Sequence, residues 1–260
     1  MHWIASTDIS PLQEAAGLIE VNGLTVRYGK KVALDHISFT ISDAEHLVLM
    51  GKNGSGKTTL LKALLGFVPY SGEISIDGRS LRSMGRREMA REISYVPQIF
   101  SSTYTFTVGE FVSMGLYSIT KDWWQNNDGI TEYLDMVGIS DLKDKMINNL
   151  SGGELQKAVV ARALAQDSRY ILMDEPTAHL DIKSVQEILD IISHFQDKSI
   201  VIVSHDLNPV NKLNGEVMLL KDGRIIFKGK KEDLSFADMI RETFDADIRK
   251  LGDYLYFPLT

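Results

Sequence analysis

The chain has 260 residues, 44% of them hydrophobic, with 28 basic against 35 acidic side chains for a net charge of −7. A core of ordinary size is therefore available, and the acidic balance argues against a nucleic-acid partner, whose phosphates call for clustered Lys and Arg. With no cysteine in the chain, disulfides, thiolate metal sites and cysteine nucleophiles are excluded.

In chain order, MHWIASTDIS lacks the basic run and apolar stretch of a secretory signal, and residues 1–17 read as a loosely held leader. Short β-like runs follow: LIEV from Leu18, LTVRY from Leu24, HISFTI from His36 and HLVLM from His46. GKNGSGKT occupies Gly51–Thr58, and Thr58 to Leu65 reads as a helix stopped by Gly66 and Pro69. EISI at Glu73 and EISYVP at Glu92 are two further strands. Residues 98–157 change character: FTVGEFVSMG, ITEYLDMVG and the stretch after LSGG favour helices, so this segment reads as a helical insert in a strand–helix core. The core resumes with YILMD, a helix carrying Val185, Ile188, Leu189, Ile192 and Phe195 on one face, and the strand SIVIVS, an order that predicts a parallel pair. EVMLLKDGRIIFKG predicts a hairpin turning at Asp222-Gly223. No run is long and apolar enough to span a bilayer.

The loop GKNGSGKT fits G-x-x-x-x-G-K-[ST]. Its glycines let consecutive N–H groups turn inward on phosphate oxygens, and the following helix offers its positive N-terminus to the same anion. Lys57 can reach the terminal phosphates and the Thr58 hydroxyl can ligate a divalent cation. Asp174 and Glu175 end an apolar strand, where ligands of open α/β sheets bind: the first is suited to a metal, the second to orienting a water or taking its proton. His205 ends another strand bound for the same edge. LSGGE, Leu150–Glu154, is a second glycine loop; Ser151 with Glu154 three residues on is also a helix-capping box.

Taken together these residues resemble the ATP-binding cassette (ABC) ATPases, in the family's order and from about Tyr28 to Gly229. GKNGSGKT resembles the Walker A loop, LSGGE the signature loop, YILMDE the Walker B strand, AHLD the D-loop, Gln98 the Q-loop glutamine and His205 the switch histidine. The resemblance implies an α/β P-loop NTPase fold with a mostly parallel core sheet, an N-terminal antiparallel β subdomain and a helical insert. It divides one domain into a nucleotide-binding core of 18–97 and 158–233, a helical subdomain of 98–157 and a tail of 234–260. It implies ATP and Mg²⁺ as ligands: Tyr28 stacked on adenine; Gly51, Lys52, Asn53, Gly54, Ser55, Gly56, Lys57, Thr58 and Thr59 on the phosphates; Thr58, Gln98 and Asp174 on the metal; Glu175, His205 and Gln98 in catalysis. It also implies a head-to-tail dimer, in which Ser151, Gly152, Gly153, Glu154 and Asp181 reach ATP held by a second copy. The signature departs from the commoner pattern at Leu155-Gln156 and the D-loop at His179; neither change removes a phosphate ligand.

A lone cassette without a membrane segment resembles importer subunits, placed at the inner face of the cell membrane beside permease subunits and served by a substrate-binding protein. FTVGEFVSMG, ALAQDSRYILMDEPTAHLDI and SHDLNPVNKL resemble the subfamily for iron–siderophore, haem and cobalamin uptake, and the short C-terminal stretch leaves no room for an appended regulatory domain. The alternatives are a zinc or manganese importer and a soluble ABC ATPase of the iron–sulfur assembly type. Phe100, Phe106 and Phe111 are candidates for the permease groove, with packing inside the insert as the competing role.

Overall fold

The computed structural model describes residues 18–258 apart from 102, 121–128 and 234; the expected leader, 1–17, lies outside them. The strands among the described residues are β1 (Leu18–Tyr28), β2 (Lys31–Ser42), β3 (His46–Met50), β4 (Ser71–Ile76), β5 (Arg79–Ser80), β6 (Ile93–Val96), β7 (Tyr170–Asp174), β8 (Ser199–Ser204), β9 (Glu216–Lys221), β10 (Arg224–Gly229), β11 (Arg249–Leu251) and β12 (Tyr254–Tyr256). The α-helices among the described residues are α1 (Lys57–Leu64), α2 (Arg86–Glu92), α3 (Val108–Ser113), α4 (Thr131–Met136), α5 (Gly152–Ala165), α6 (Ile182–His194), α7 (Asn208–Lys212) and α8 (Phe236–Phe244).

The core sheet runs β10-β9-β3-β8-β7-β6, and every pairing in it is parallel except the β9–β10 hairpin. Its central strands are buried on both faces, which is why HLVLM, YILMD and SIVIVS read as continuous apolar runs. Alternate residues divide between two cores. Val48, Met50, Ile171, Met173, Ile200 and Ile202 face the helical insert and α6. Leu47, Leu49, Leu172, Val201 and Val203 face α1 and a second, antiparallel sheet of order β2-β1-β4-β5. The hairpin turns at Asp222 and Gly223, both with positive φ (48° and 75°), as its Asp-Gly pair predicts.

The N-terminal runs are longer than the alternation suggests. LIEV and LTVRY form one strand, because Gly23 at φ 60° and His36 at φ 51° open bulges instead of turns. Hydroxyls satisfy the amides these bulges free: Gly23 N–H donates to Ser38 Oγ at 2.8 Å and His36 N–H to Thr25 Oγ1 at 3.1 Å. In the insert, α5 runs through the expected boundary at 157/158, so insert and core share one helix and one apolar cluster. Phe111 is 1% exposed inside that cluster, which removes it from any permease groove; Phe100 and Phe106 pack against the cluster partly buried. The tail holds α8 and a small hairpin, β11–β12, and Asn211 of α7 fixes that hairpin by exchanging two hydrogen bonds with the Leu255 backbone, 2.7 and 2.8 Å.

Helix α6 seats Ile188, Leu189 and Ile192 on the sheet while Ile182, at its start, is 81% exposed. Ile188→Ala, at a side chain with 0% exposure, is expected to lower unfolding free energy by about 2–5 kcal/mol in urea titration, whereas Ile182→Ala should change it by less than about 0.5 kcal/mol.

Candidate active site

Because β3, β6, β7 and β8 are parallel and in close register, their carboxyl ends fall on one sheet edge: Met50 pairs with Ser204 and Asp174 with Val203. The loop after β3 opens α1. Gly51 approaches the Leu220 carbonyl so closely that a Cβ would lie 2.3 Å from it. Gly56, at φ 112°, would place a Cβ 2.7 Å from Leu34 and 2.8 Å from the Ala33 carbonyl. Only glycine fits either position. Gly54 has φ 81° with open space about its Cα, so its constraint is conformational.

Lys57 is 5% exposed and its Nζ donates to the carbonyls of Gly51 and Lys52, at 2.7 and 3.0 Å, bracing the loop across its mouth. Burial pushes its ammonium below the usual lysine range, opposed by the charges of Glu175 and Asp174. The Thr58 hydroxyl donates to Asp174 Oδ1 at 3.2 Å. Asp174 is 3% exposed, and burial raises its carboxyl above the usual value, partly offset by that hydrogen bond. Burial and Asp174 also push the neighbouring Tyr95 hydroxyl up to about 12.

At the end of β7 the chain turns sharply. Glu175 takes a left-handed conformation, φ 47°, and its N–H donates to Val203 O at 3.0 Å. A left-handed residue other than glycine is uncommon and strained. Here it swings the carboxylate toward two other strand ends: Gln98 Nε2 donates to Glu175 Oε2 at 2.9 Å, and His205 Nδ1 lies 3.4 Å from the same oxygen. His179 is also left-handed, φ 64°, a conformation that Asn and His tolerate better than most residues, which gives this departure in the D-loop a backbone reason.

A single cleft of about 1450 Å³ brings together Tyr28, Gly51, Lys52, Asn53, Gly54, Gly56, Lys57, Thr58, Thr59, Gln98, Glu175 and His205. Ser55 and Asp174 are buried beneath it. Ser151, Gly152, Gly153, Glu154 and Asp181 are not among its lining residues. They belong to the starts of two other helices. Ser151 caps α5, accepting from Glu154 N–H at 3.3 Å while Glu154 Oε2 accepts from Ser151 N–H at 2.7 Å. Asp181 caps α6 through the Ser184 N–H, at 3.0 Å. Gly153 packs against Ser184, where a Cβ would lie 2.5 Å from its hydroxyl.

Two features of the cleft were not predicted. Lys31 and Ala33 line it from β2, which becomes foreseeable only once the β1–β2 hairpin is folded over the loop. Asp245, just after α8, forms an ion pair with Lys52, a contact spanning 193 residues and thus without any local sequence signal.

The residues present fit a nucleoside triphosphate. The glycine cradle opens on a helix N-terminus with a buried lysine, and Ser55 Oγ is a buried hydroxyl without a protein partner. They fit Mg²⁺ as well: Thr58 and Asp174 are oxygen donors, and no group of three His, Cys, Asp or Glu among the described residues could hold a metal ion. That suits a cation which completes its shell with phosphate oxygens and water.

Such an edge defines an α/β nucleotide-binding protein of the phosphate-loop class. The family model described as ABC transporter matches residues 34–178. The chain is similar to a probable siderophore transport system ATP-binding protein, YusV, of Bacillus subtilis (strain 168), at 32% identity over 92% of this chain and 90% of that one. It is similar to the petrobactin import ATP-binding protein YclP of the same organism, at 32% identity over 89% and 94%. Among solved structures it resembles cbiO1 of Clostridium perfringens, part of the ABC transporter complex cbiONQ, with a TM-score of 0.74 and 26% identity over 88% of this chain and 94% of that one. The chain belongs to the ABC transporter family and is one of its ATP-binding, ATP-hydrolysing subunits.

The folded state holds the Asp174 proton more tightly than the unfolded chain, so this group's contribution to stability falls as pH rises from the ordinary value of 3.8 through the raised folded value. Asp174→Asn abolishes that loss. Its thermal stability relative to the parent should therefore grow as pH rises through that window and level off above it, read by calorimetry at matched ionic strength; a constant difference contradicts the assigned shift.

Proposed function

We propose that this chain is the ATPase of a membrane importer, of the class that takes up iron–siderophore complexes, haem or cobalamin. The observation that carries the catalytic reading is the meeting of Gln98, Glu175 and His205 beside the Thr58–Asp174 pair, from four different segments of the chain. The transport reading is supported by the siderophore and petrobactin systems to which the relatives belong. No helix among the described residues is long and apolar enough to cross a membrane. In this reading the chain works beside permease subunits at the inner face of the cell membrane, with a substrate-binding protein delivering cargo from outside.

In this reading Tyr28, 49% exposed at the cleft, stacks on adenine. Gly51 to Thr59 present backbone N–H groups and the α1 N-terminus to the phosphates, and Lys57 leaves its carbonyl partners for the terminal phosphates. Thr58, Asp174 and Gln98 would hold Mg²⁺, which would supply charge neutralisation for the leaving phosphate. A water placed by Glu175 and Gln98 attacks the γ-phosphorus; Glu175 takes its proton as the bond to the bridging oxygen breaks, and ADP and phosphate leave. His205 donates to the γ-phosphate. The core (18–97 and 158–233) carries these groups except Gln98, the helical part (98–157) carries Gln98 and the signature loop, and the tail (234–260) adds Phe244, Ala246, Tyr254 and Phe257 to the cleft wall.

Ser151, Gly152, Gly153 and Glu154 lie off the cleft that their own chain lines, which supports a head-to-tail pair in which they and Asp181 complete the site of a second copy. The capping box aims the α5 N-terminus outward, so its dipole meets the partner's γ-phosphate.

Glu175→Gln is expected to lower ATP turnover at least about 100-fold with nucleotide binding unchanged, and Lys57→Ala to weaken binding itself, as read by phosphate release and by titration with a fluorescent ATP analogue. Turnover of Glu175→Gln at the parent rate would remove Glu175 from the role assigned.

A further inference from the structure

The helix carrying Ser151 is joined to the segment carrying Gln98 by a contact that the chemistry of the cleft does not use. Phe100 follows Gln98 by two residues, Phe111 lies on α3, and Arg162 stands on α5 about 15 Å along the axis from Gly152, at 1.5 Å per residue. The two rings are 4.6 Å apart between centroids, inclined by 49°. The Arg162 guanidinium lies 4.7 Å from the Phe111 centroid and 5.4 Å from that of Phe100.

This is a costly way to fill space. Burial alone shifts the guanidinium, downward, and no carboxylate among the described residues offsets it. Its neighbours on α5, Val159, Ala161 and Ala163, are small, apolar and buried, as a packing role requires. A largely desolvated cation lying against two touching rings instead fixes direction, because attraction to a ring face depends on where the planar group lies. The helix around it is held firmly. Gln166, at the α5 C-cap, donates to the carbonyls of Ala90 and Ile93 at 2.5 and 2.8 Å. Gly115 comes so near that a Cβ would lie 2.3 Å from the Arg162 carbonyl. The segment that Arg162 can steer is therefore the loop of 97–101, where Gln98, Ile99 and Ser101 are exposed, Gln98 reaches Glu175 and Phe100 reaches Arg162.

We propose that Arg162 is a positioning residue which, through Phe100 and Phe111, ties the placement of Gln98 against Glu175 to the position of the signature helix. It touches neither nucleotide nor water. With Arg162 fixed on α5, the clamp holds Phe100, and with it Gln98, at a set position relative to the signature loop at the start of the same helix. This rests on the catalytic reading of Gln98 and Glu175 given above.

The test compares Arg162→Met, Phe100→Leu, Phe100→Tyr and the double variant Arg162→Met/Phe100→Leu in the full chain, with Glu175→Gln beside them. Expected are kcat losses of about 10-fold for Arg162→Met and for Phe100→Leu, with KM and ATP affinity within about two-fold of the parent, since coupling residues away from ligands act on this scale. Phe100→Tyr, which keeps the ring, should retain parent kcat, and the double variant should lose no more than either single one. If Arg162→Met fails to fold, the Leu and Tyr variants at Phe100 decide alone. Unchanged kcat in Phe100→Leu, losses that multiply in the double variant, or KM rising in step with the fall in kcat would overturn the clamp. Parent turnover in Glu175→Gln would instead overturn the catalytic reading, and the clamp with it.

Discussion

A triphosphate gives up its water only to donors already fixed in place, and here the fixing is done at the seam between the two sheets. Gly51 lies against the β9 carbonyl of Leu220 and Gly56 against β2, while Gly223, in the β9–β10 turn, donates its N–H to Ser55 O at 3.0 Å and accepts from Asp35 N–H at 2.9 Å. The phosphate loop is thus held from outside, by the backbones of strands far away in sequence. That fixes the loop's backbone before charge arrives, so that in the proposed reaction it is side chains such as Lys57 that move. The order of the core sheet follows from this demand: β3 lies between β8 and β9, so the loop it feeds meets both the strand end of His205 and the wall formed by Leu220.

The same principle recurs at α5, without a cleft around it. Ser151 and Glu154 satisfy each other's backbone and hold the helix start open, and Gly153 lets that start press against Ser184 of α6. Gly152 in turn lies beside Leu180, so the start of α5 adjoins the segment that leads into α6. In the proposed dimer this start covers the nucleotide of the second copy, so one chain supplies a complete cradle for half of the ligand and a lid for half of another.

What the sequence made legible divides along physical lines. Patterns that are local in the chain could be read directly: the glycine loop before a helix, the capping box, the buried strands of β7 and β8 around an amphipathic helix, and the Asp-Gly hairpin. Each depends on backbone conformation or periodicity within a dozen residues. What escaped depends on distant partners. Nothing near Gly23 says that its bulge will be rescued by the Ser38 hydroxyl, and nothing near Asp245 says that Lys52 will meet it. Phe111 reads alike as surface anchor or core, because its fate is decided by Phe100 and Arg162. A division at 157/158 falls inside α5, which runs unbroken from Gly152 to Ala165.

The central claim is that each nucleotide is held between two chains, one giving the phosphate loop and the other the capped start of α5. Sedimentation equilibrium of Glu175→Gln and of Glu175→Gln/Ser151→Arg, each with Mg²⁺ and ATP, tests it most directly. The account predicts a dimer for the first and a monomer for the second, with nucleotide bound to both. Equal association states in the two variants, whether both dimeric or both monomeric, would contradict it.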